Sequence, residues 1–335
     1  MSPESTFILN SDSQAGHRHI SKHAVGLWLA KKPEDIPEED VLSGNRVDFV
    51  SAEVLSGFLG QTTLLSALRP AMRSECIATM PPEYEFGILS DIFNTKIDPL
   101  FPLLKDEPWD KHGIMEMTAL RQCVCLIASL DPASRPHLRL PHTDLILSQP
   151  DFRARVHAAV KQSLDLGFIT DTVALMQICA MMSMCVQKQE FGELSTFYCT
   201  QAVLHEQTLG FHVGWPEGKA GGERACRLFW CIWVLDRLNA ATNGRPTLIH
   251  SRDMDRKVID SVEDQPSSFK LLIRITEFLD DTISLYRPHA AIQEQTENTS
   301  HTFEGLVEAT GAHDLSNGLL GTFKPPHLHA QSQIG

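Results

Sequence analysis

Histidines and cysteines carry most of the potential chemistry in this sequence. His205-Glu206 begins like H-E-x-x-H, the pattern that sets two imidazoles on one helix face around zinc with the glutamate as base. Here the required second histidine is replaced by Leu209. His212 lies seven positions on and could share a helix face with His205, but Gly210 stands between them. The pair therefore reads as two partly exposed histidines at a helix end. His17, His19 and His23 form H-x-H-x-x-x-H, in which only His19 and His23 share a helix face, so a third firm ligand is lacking. Cys123 and Cys125 point to opposite sides of a helix; they, and Cys226 with Cys231, read as small core hydrophobes. Met176, Met181, Met182 and Met184 read as core filling, with an adaptable ligand pocket as the alternative. No Walker loop and no G-x-G-x-x-G occurs. The expectation is a protein that is not an enzyme, with no catalytic, cofactor-binding or metal-binding residues.

The formal net charge of −13 repels phosphate, which makes the chain taken whole a poor nucleic-acid binder. The eight cysteines mostly sit in apolar segments, and MSPESTFILN has neither the basic start nor the apolar run of a secretory signal. They are expected to be free thiols in a reducing compartment. The longest apolar stretch, around 172–186, is too short to span a bilayer.

These residues need elements to hold them, and the elements read as helices. Residues 1–45 are polar and mixed, expected to be largely disordered apart from one short helix around 22–30. Residues 46–83 read as a helical lead-in. Phe152, Val156, Val160 and Leu164 recur every four positions behind Asp151, an acid suited to a helix N-terminus. DTVALMQICAMMSMCV, residues 171–186, is apolar on almost every side, as a helix in the middle of a bundle must be. Leu194, Tyr198, Ala202 and Leu209 share a face. Phe269, Leu272, Leu279, Ile283 and Tyr286 line what reads as the last helix, stopped by Pro288. The run Val124–Ile127 belongs inside a helix, and residues 311–335 read as a disordered tail. With no alternating β pattern, the fold class is all-α.

One segment stands apart. CRLFWCIWVLDRLNAATNGRP, residues 226–246, is an apolar run that carries Asp236-Arg237 and stops at Asn243-Gly244-Arg245-Pro246. As a helix it places Leu228, Cys231, Leu235 and Leu238 on one side, widened by Trp230, Trp233 and Val234. Arg227, Asp236 and Arg237 must then find partners or reach solvent, because an unpaired charge near a core is costly. Adjacent helix residues diverge by about 100°, so Asp236 and Arg237 are expected to pair with other segments or with loop backbone instead of with each other. Gly244 suits the left-handed position after a helix end, and Arg245-Pro246 starts an extended segment. The stretch reads as a structural joint: a buried helix, a glycine stop, and charges that lock the next loop.

RLFWCIWVLDRLNAATNGRPTLIHSRDMD also resembles the hallmark of the fungal-specific transcription factor domain, the middle homology region of zinc-cluster regulators. The matching residues are Arg227, Phe229-Trp230, Asp236-Arg237, Gly244-Arg245-Pro246 and Asp253-Met254-Asp255. FNTKIDPLFPLLKDEPW, residues 93–109, is similar to the segment that opens that domain, and the helices between come in the expected order. The resemblance covers roughly 84–310.

It implies an all-α regulatory domain in a nuclear regulator of RNA polymerase II transcription of a metabolic or biosynthetic gene set. Its implied partners are the transcription machinery or a related regulator, in a homo- or heterodimer, with no membrane association. In such regulators a zinc cluster with two C-x-x-C-x₆-C halves reads the DNA. These residues contain no C-x-x-C, and their first cysteine is Cys76. Zinc and DNA contacts are therefore expected to belong to a module this chain lacks. The alternative is a free-standing ligand- or partner-binding regulatory module without DNA binding.

Overall fold

A computed structural model describes residues 67–141, 145–185, 192–214, 221–285 and 303–312. The chain divides into two compact units, residues 1–45 and 46–335, and the first lies wholly outside the described residues. So do the expected helix at 22–30, His17, His19 and His23, the loop at 215–220, Tyr286 and Pro288, and the tail from 313.

All regular structure among the described residues is helical. The helices are α1 (67–78), α2 (Glu83–Lys96), α3 (Ile114–Ala128), α4 (Gln149–Asp165), α5 (Thr172–Cys185), α6 (Gly192–Leu209), α7 (Gly222–Asn243), α8 (Arg256–Asp260), α9 (Ser267–Leu285) and α10 (Phe303–Thr310). Short 3₁₀ turns fill several of the connections.

Packing follows the apolar pattern. α5 is the apolar helix at the centre: Met176, Ile178, Ala180, Met181 and Met182 are buried, with α3 and α6 against it. The methionines thus sit in the main core, where their flexible thioethers fill gaps between helices. α6 packs on α7, α7 on α9, and α4 covers α3. In α4 the four-residue repeat buries Phe152, Val156 and Val160, while Leu164 is half-buried. The Ser148 hydroxyl caps this helix by accepting the Asp151 amide at 3.3 Å.

Arg153, on the same helix, closes two other helices. Its guanidinium donates to the Leu126 carbonyl at 2.7 Å and the Ser129 hydroxyl at the end of α3, and to the Cys185 carbonyl at the end of α5. A helix end leaves its last carbonyls without intrahelical donors, and one cation here serves two such ends.

The expectation that the helix around 269–286 is the last one is overturned. α10 comes after it and packs on α9, with Thr310 and Ala312 buried and Gly311 in the left-handed conformation at φ 67°. The polar composition beyond 290 conceals this short helix, whose apolar residues are only Phe303, Leu306, Val307 and Ala309. Of the residues assigned to one α9 face, Phe269 is buried, and Leu272, Leu279 and Ile283 are half-buried.

All eight cysteines are free thiols; Cys226 is half-buried and the other seven are buried. Burial pushes the Cys125 thiol well above its usual value and lifts those of Cys179 and Cys199 to about 12. Thiols so resistant to ionisation behave as apolar side chains.

Candidate functional site

The residues that carry the resemblance gather around α7, gripped near both ends by buried charge. At its C-terminal end, Asp236 and Arg237 are each 1% exposed. The Asp236 carboxylate accepts the Leu248 amide at 2.9 Å and the Ile249 amide at 3.1 Å. Arg237 Nη2 donates to the Ile249 carbonyl at 2.6 Å, and its Nε faces Asp280 Oδ1 of α9 at 3.4 Å. The guanidinium also lies over the Trp233 ring, 4.3 Å from its centroid. The locked loop expected after the helix is therefore present, held at residues 248–249.

The expectation that Asp236 and Arg237 do not meet is corrected. Arg237 Nη1 donates to Asp236 Oδ2 at 3.0 Å. Their Cα–Cβ directions diverge, but an arginine has enough rotatable bonds to bring its fork back to the adjacent carboxylate. Because both side chains reach for the backbone of the same two loop residues, their heads converge.

Burial lifts the Asp236 carboxyl above its ordinary value, against the pull of the Ile249 and Leu248 amides and of Arg237. The charged form is thus costly where it sits, and it is retained by what it holds.

The helix stops as the sequence indicates. Gly244 has φ 62° and ψ 35°, and the amides of Gly244 and Arg245 both close on the Ala240 carbonyl. Nothing lies within 4 Å of a Cβ built on Gly244, so only backbone conformation demands glycine there. Gly244→Ala is expected to cost about 1–2 kcal/mol of stability, from the left-handed strain alone. Asparagine, more tolerant of that region, should cost less, and urea unfolding of the two variants measures the difference.

At the N-terminal end, Arg227 donates to the Lys105 carbonyl at 2.7 Å and faces Asp106 at 3.2 Å. One turn earlier, Arg224 Nη2 lies 2.7 Å from both carboxylate oxygens of Glu107. The Glu107 side chain is fully buried and also accepts from His112 Nε2 at 2.7 Å and from Gln177 of α5. Gln177 reaches in addition to the Leu103 carbonyl at 2.9 Å. Residues 103–107, within the segment that resembles the opening of the family domain, are thereby fastened to α7. Nothing in the sequence singles out Glu107, Gln177 or Arg224. Glu107 and Arg224 are 117 positions apart, and a single sequence carries no signal that joins them.

An open cleft of about 390 Å³ lies beside this end, lined by Asp106, Gly221, Gly222, Glu223, Arg224 and Arg227. Its two arginines are engaged with Glu107, Asp106 and the Lys105 carbonyl, and two carboxylates share the lining. The cleft is therefore of mixed charge.

The remaining motif residues separate by burial. Trp230 is buried, with Nε1 donating to the Ser261 hydroxyl at 3.2 Å. Arg245, Pro246 and Asp253 are exposed. Asp255 caps α8 by accepting the Lys257 amide at 2.9 Å, and its own amide donates to the His212 carbonyl. Gly214, at φ 82°, passes within 3.6 Å of the Asp255 carboxyl, measured from the position a Cβ would take.

His205 and His212 are each half-buried. They do not share a helix face, since α6 ends at Leu209 and Gly210 turns left-handed at φ 71° before His212. His212 instead folds back on Glu206. Among the described residues no group of three His, Cys, Asp or Glu side chains gathers that could hold a metal ion. Nor is any described helix long and apolar enough to cross a membrane. What the arrangement does is mechanical: it fixes α7 against residues 103–107, residues 248–249 and α9.

No family model matches the chain, and no solved structure matches it. Over 55 residues it is 40% identical to an uncharacterized transcriptional regulatory protein of Schizosaccharomyces pombe. That stretch is 16% of this chain and 7% of the relative.

Proposed function

We infer that this chain is part of a transcription regulator. Residues 84–310 serve as its helical regulatory domain, of the fungal-specific transcription factor type. The role is nuclear and non-catalytic: it adjusts RNA polymerase II transcription of a metabolic or biosynthetic gene set through the transcription machinery or a paired regulator. The observation that carries the reading is the 40% identity, over 55 residues, to a transcriptional regulatory protein of Schizosaccharomyces pombe. The doubly fastened α7 supports it, because it joins the two segments of the family resemblance in one scaffold.

Zinc does not fit the described residues. Seven of the eight cysteines are buried as free thiols, and no ligand set comes together among the described residues. DNA recognition through zinc is accordingly assigned to a separate module, which the net charge of −13 also favours.

Fusing the chain to an unrelated DNA-binding module upstream of a reporter tests the reading. Transcription is expected to change several-fold relative to the module alone. An unchanged reporter, with the fusion stably expressed, overturns it. A second reading, a free-standing module that acts by pairing with a relative, draws on the same net charge of −13. It predicts co-purification with a full-length regulator and no reporter effect from the tethered chain.

A further inference from the structure

Glu206, the acid of the H-E pair, has no part in the α7 scaffold. It is 0% exposed, on the last turn of α6. Its Oε1 accepts two bonds from one residue: the His212 amide at 2.9 Å and the His212 ring Nδ1 at 3.1 Å. Its Oε2 has no hydrogen-bond partner among the described residues. A carboxylate removed from water and satisfied at one oxygen is costly unless a cation faces it. Among the described residues, the ionisable group that pairs with it is the imidazole of His212.

That imidazole sits in a short connection with several fastenings. Gly210 and Gly214, both at positive φ, bracket the 3₁₀ turn Phe211–Val213, and Phe211 is buried. The His212 carbonyl accepts the Asp255 amide at 2.9 Å, which ties the connection to the start of α8.

Three elements pack on the turn. From α6 comes Glu206. From the neighbouring 3₁₀ turn comes the charge of Asp253, while Asp255 directs its carboxylate to the cap of α8. The third element, α7, has its ionisable groups engaged elsewhere: Arg224 with Glu107, Arg227 with Lys105 and Asp106, and Asp236 with Arg237. Its Glu223 is exposed and lines the cleft. The surroundings of His212 are thus acidic.

We propose that His212 and Glu206 form a pH-responsive latch that holds the turn at residues 210–214 against the end of α6 in acid and loosens it as pH rises. The protonated imidazole supplies the countercharge that the buried carboxylate otherwise lacks. Loss of that proton leaves a neutral imidazole N–H donating to a buried carboxylate that no longer has a countercharge. Release frees the 3₁₀ turn from α6 and weakens its bond to Asp255.

The direction agrees with the titration: the bond to Glu206 holds His212 above its ordinary value of 6.5, with burial opposing. A raised folded value means stabilisation that is fully present below pH 6.5 and lost as pH passes through the folded value.

The test uses the full chain. NMR titration of the His212 ring gives its folded pKa. Hydrogen exchange of amides 210–214 and 255, corrected for intrinsic rates, is compared between acid and mildly alkaline buffer. Protection is expected to fall with rising pH by about tenfold per unit of the measured displacement from the ordinary histidine value, because the same linkage governs both. His212→Gln retains a side-chain donor without titrating and should give a flat profile. Glu206→Gln should return the His212 pKa to or below the ordinary value. A His212 pKa at or below 6.5 in the unaltered chain overturns the latch, as does protection that is unchanged across the range. So does a pH dependence that persists in His212→Gln.

Discussion

Asp236→Ala is expected to lower the unfolding free energy by about 3–5 kcal/mol, the loss typical when one partner of a buried ion pair is removed. Alanine leaves Arg237 without its nearest carboxylate and leaves the amides of the exposed Leu248 and the buried Ile249 without their acceptor. Asp280 still faces Arg237, but from a partly exposed position on α9. Asp236→Asn should be far milder, about 1–2 kcal/mol, since the amide oxygen can keep one loop bond. The raised pKa of Asp236 predicts this ordering, because the charge itself is unfavourable where it lies and its hydrogen bonds are what matter. Urea unfolding of both variants at neutral pH measures the two losses. Equal losses would mean that charge, not hydrogen bonding, holds the loop. A loss below about half a kilocalorie for alanine would place Asp236 on a solvated face.

Glu107→Ala is the second large effect, also about 3–5 kcal/mol. It leaves Arg224, His112 and the fully buried Gln177 without their common acceptor. A double-mutant cycle with Arg224→Ala should return a coupling of about 0.5–3 kcal/mol, the range for residues in one buried network. Both measurements are unfolding curves, and a coupling near zero would mean that the Glu107–Arg224 pair adds nothing to the grip on residues 103–107.

Much of this architecture is legible in the sequence because helical periodicity is local. Phe152, Val156 and Val160 announce a face at four-residue spacing, and residues 172–185 announce a buried helix by the lack of any polar side. The glycine stop is legible for the same reason: Gly244 answers to its own backbone.

Partnerships are less legible. Asp236 and Arg237 stand out as charges in need of partners, and Asp236 does hold the loop after the helix. Their own contact escapes a reading based on Cα–Cβ directions, which do not limit an arginine fork. Glu107 lies in a loop, KDEPW, that looks solvent-facing, and its burial depends on α5 and α7 arriving from far along the chain. The His205-Glu206 near-match to a zinc motif points to the right acid for the wrong reason. α10 is hidden by its polar flanks.

α7 is clamped at Arg224 and again at Arg237, thirteen positions apart, or ~20 Å along a helix at 1.5 Å per residue. A helix hydrogen-bonded throughout resists bending, so its two clamps share one rigid rod. Were α7 to turn about its axis by a single residue's angle, both grips would lose register together. A rigid-body displacement of α7 would therefore disturb its grips on residues 103–107 and 248–249 together. In mechanical terms α7 is a tie rod, with its two ends fixed in segments that lie far apart along the chain.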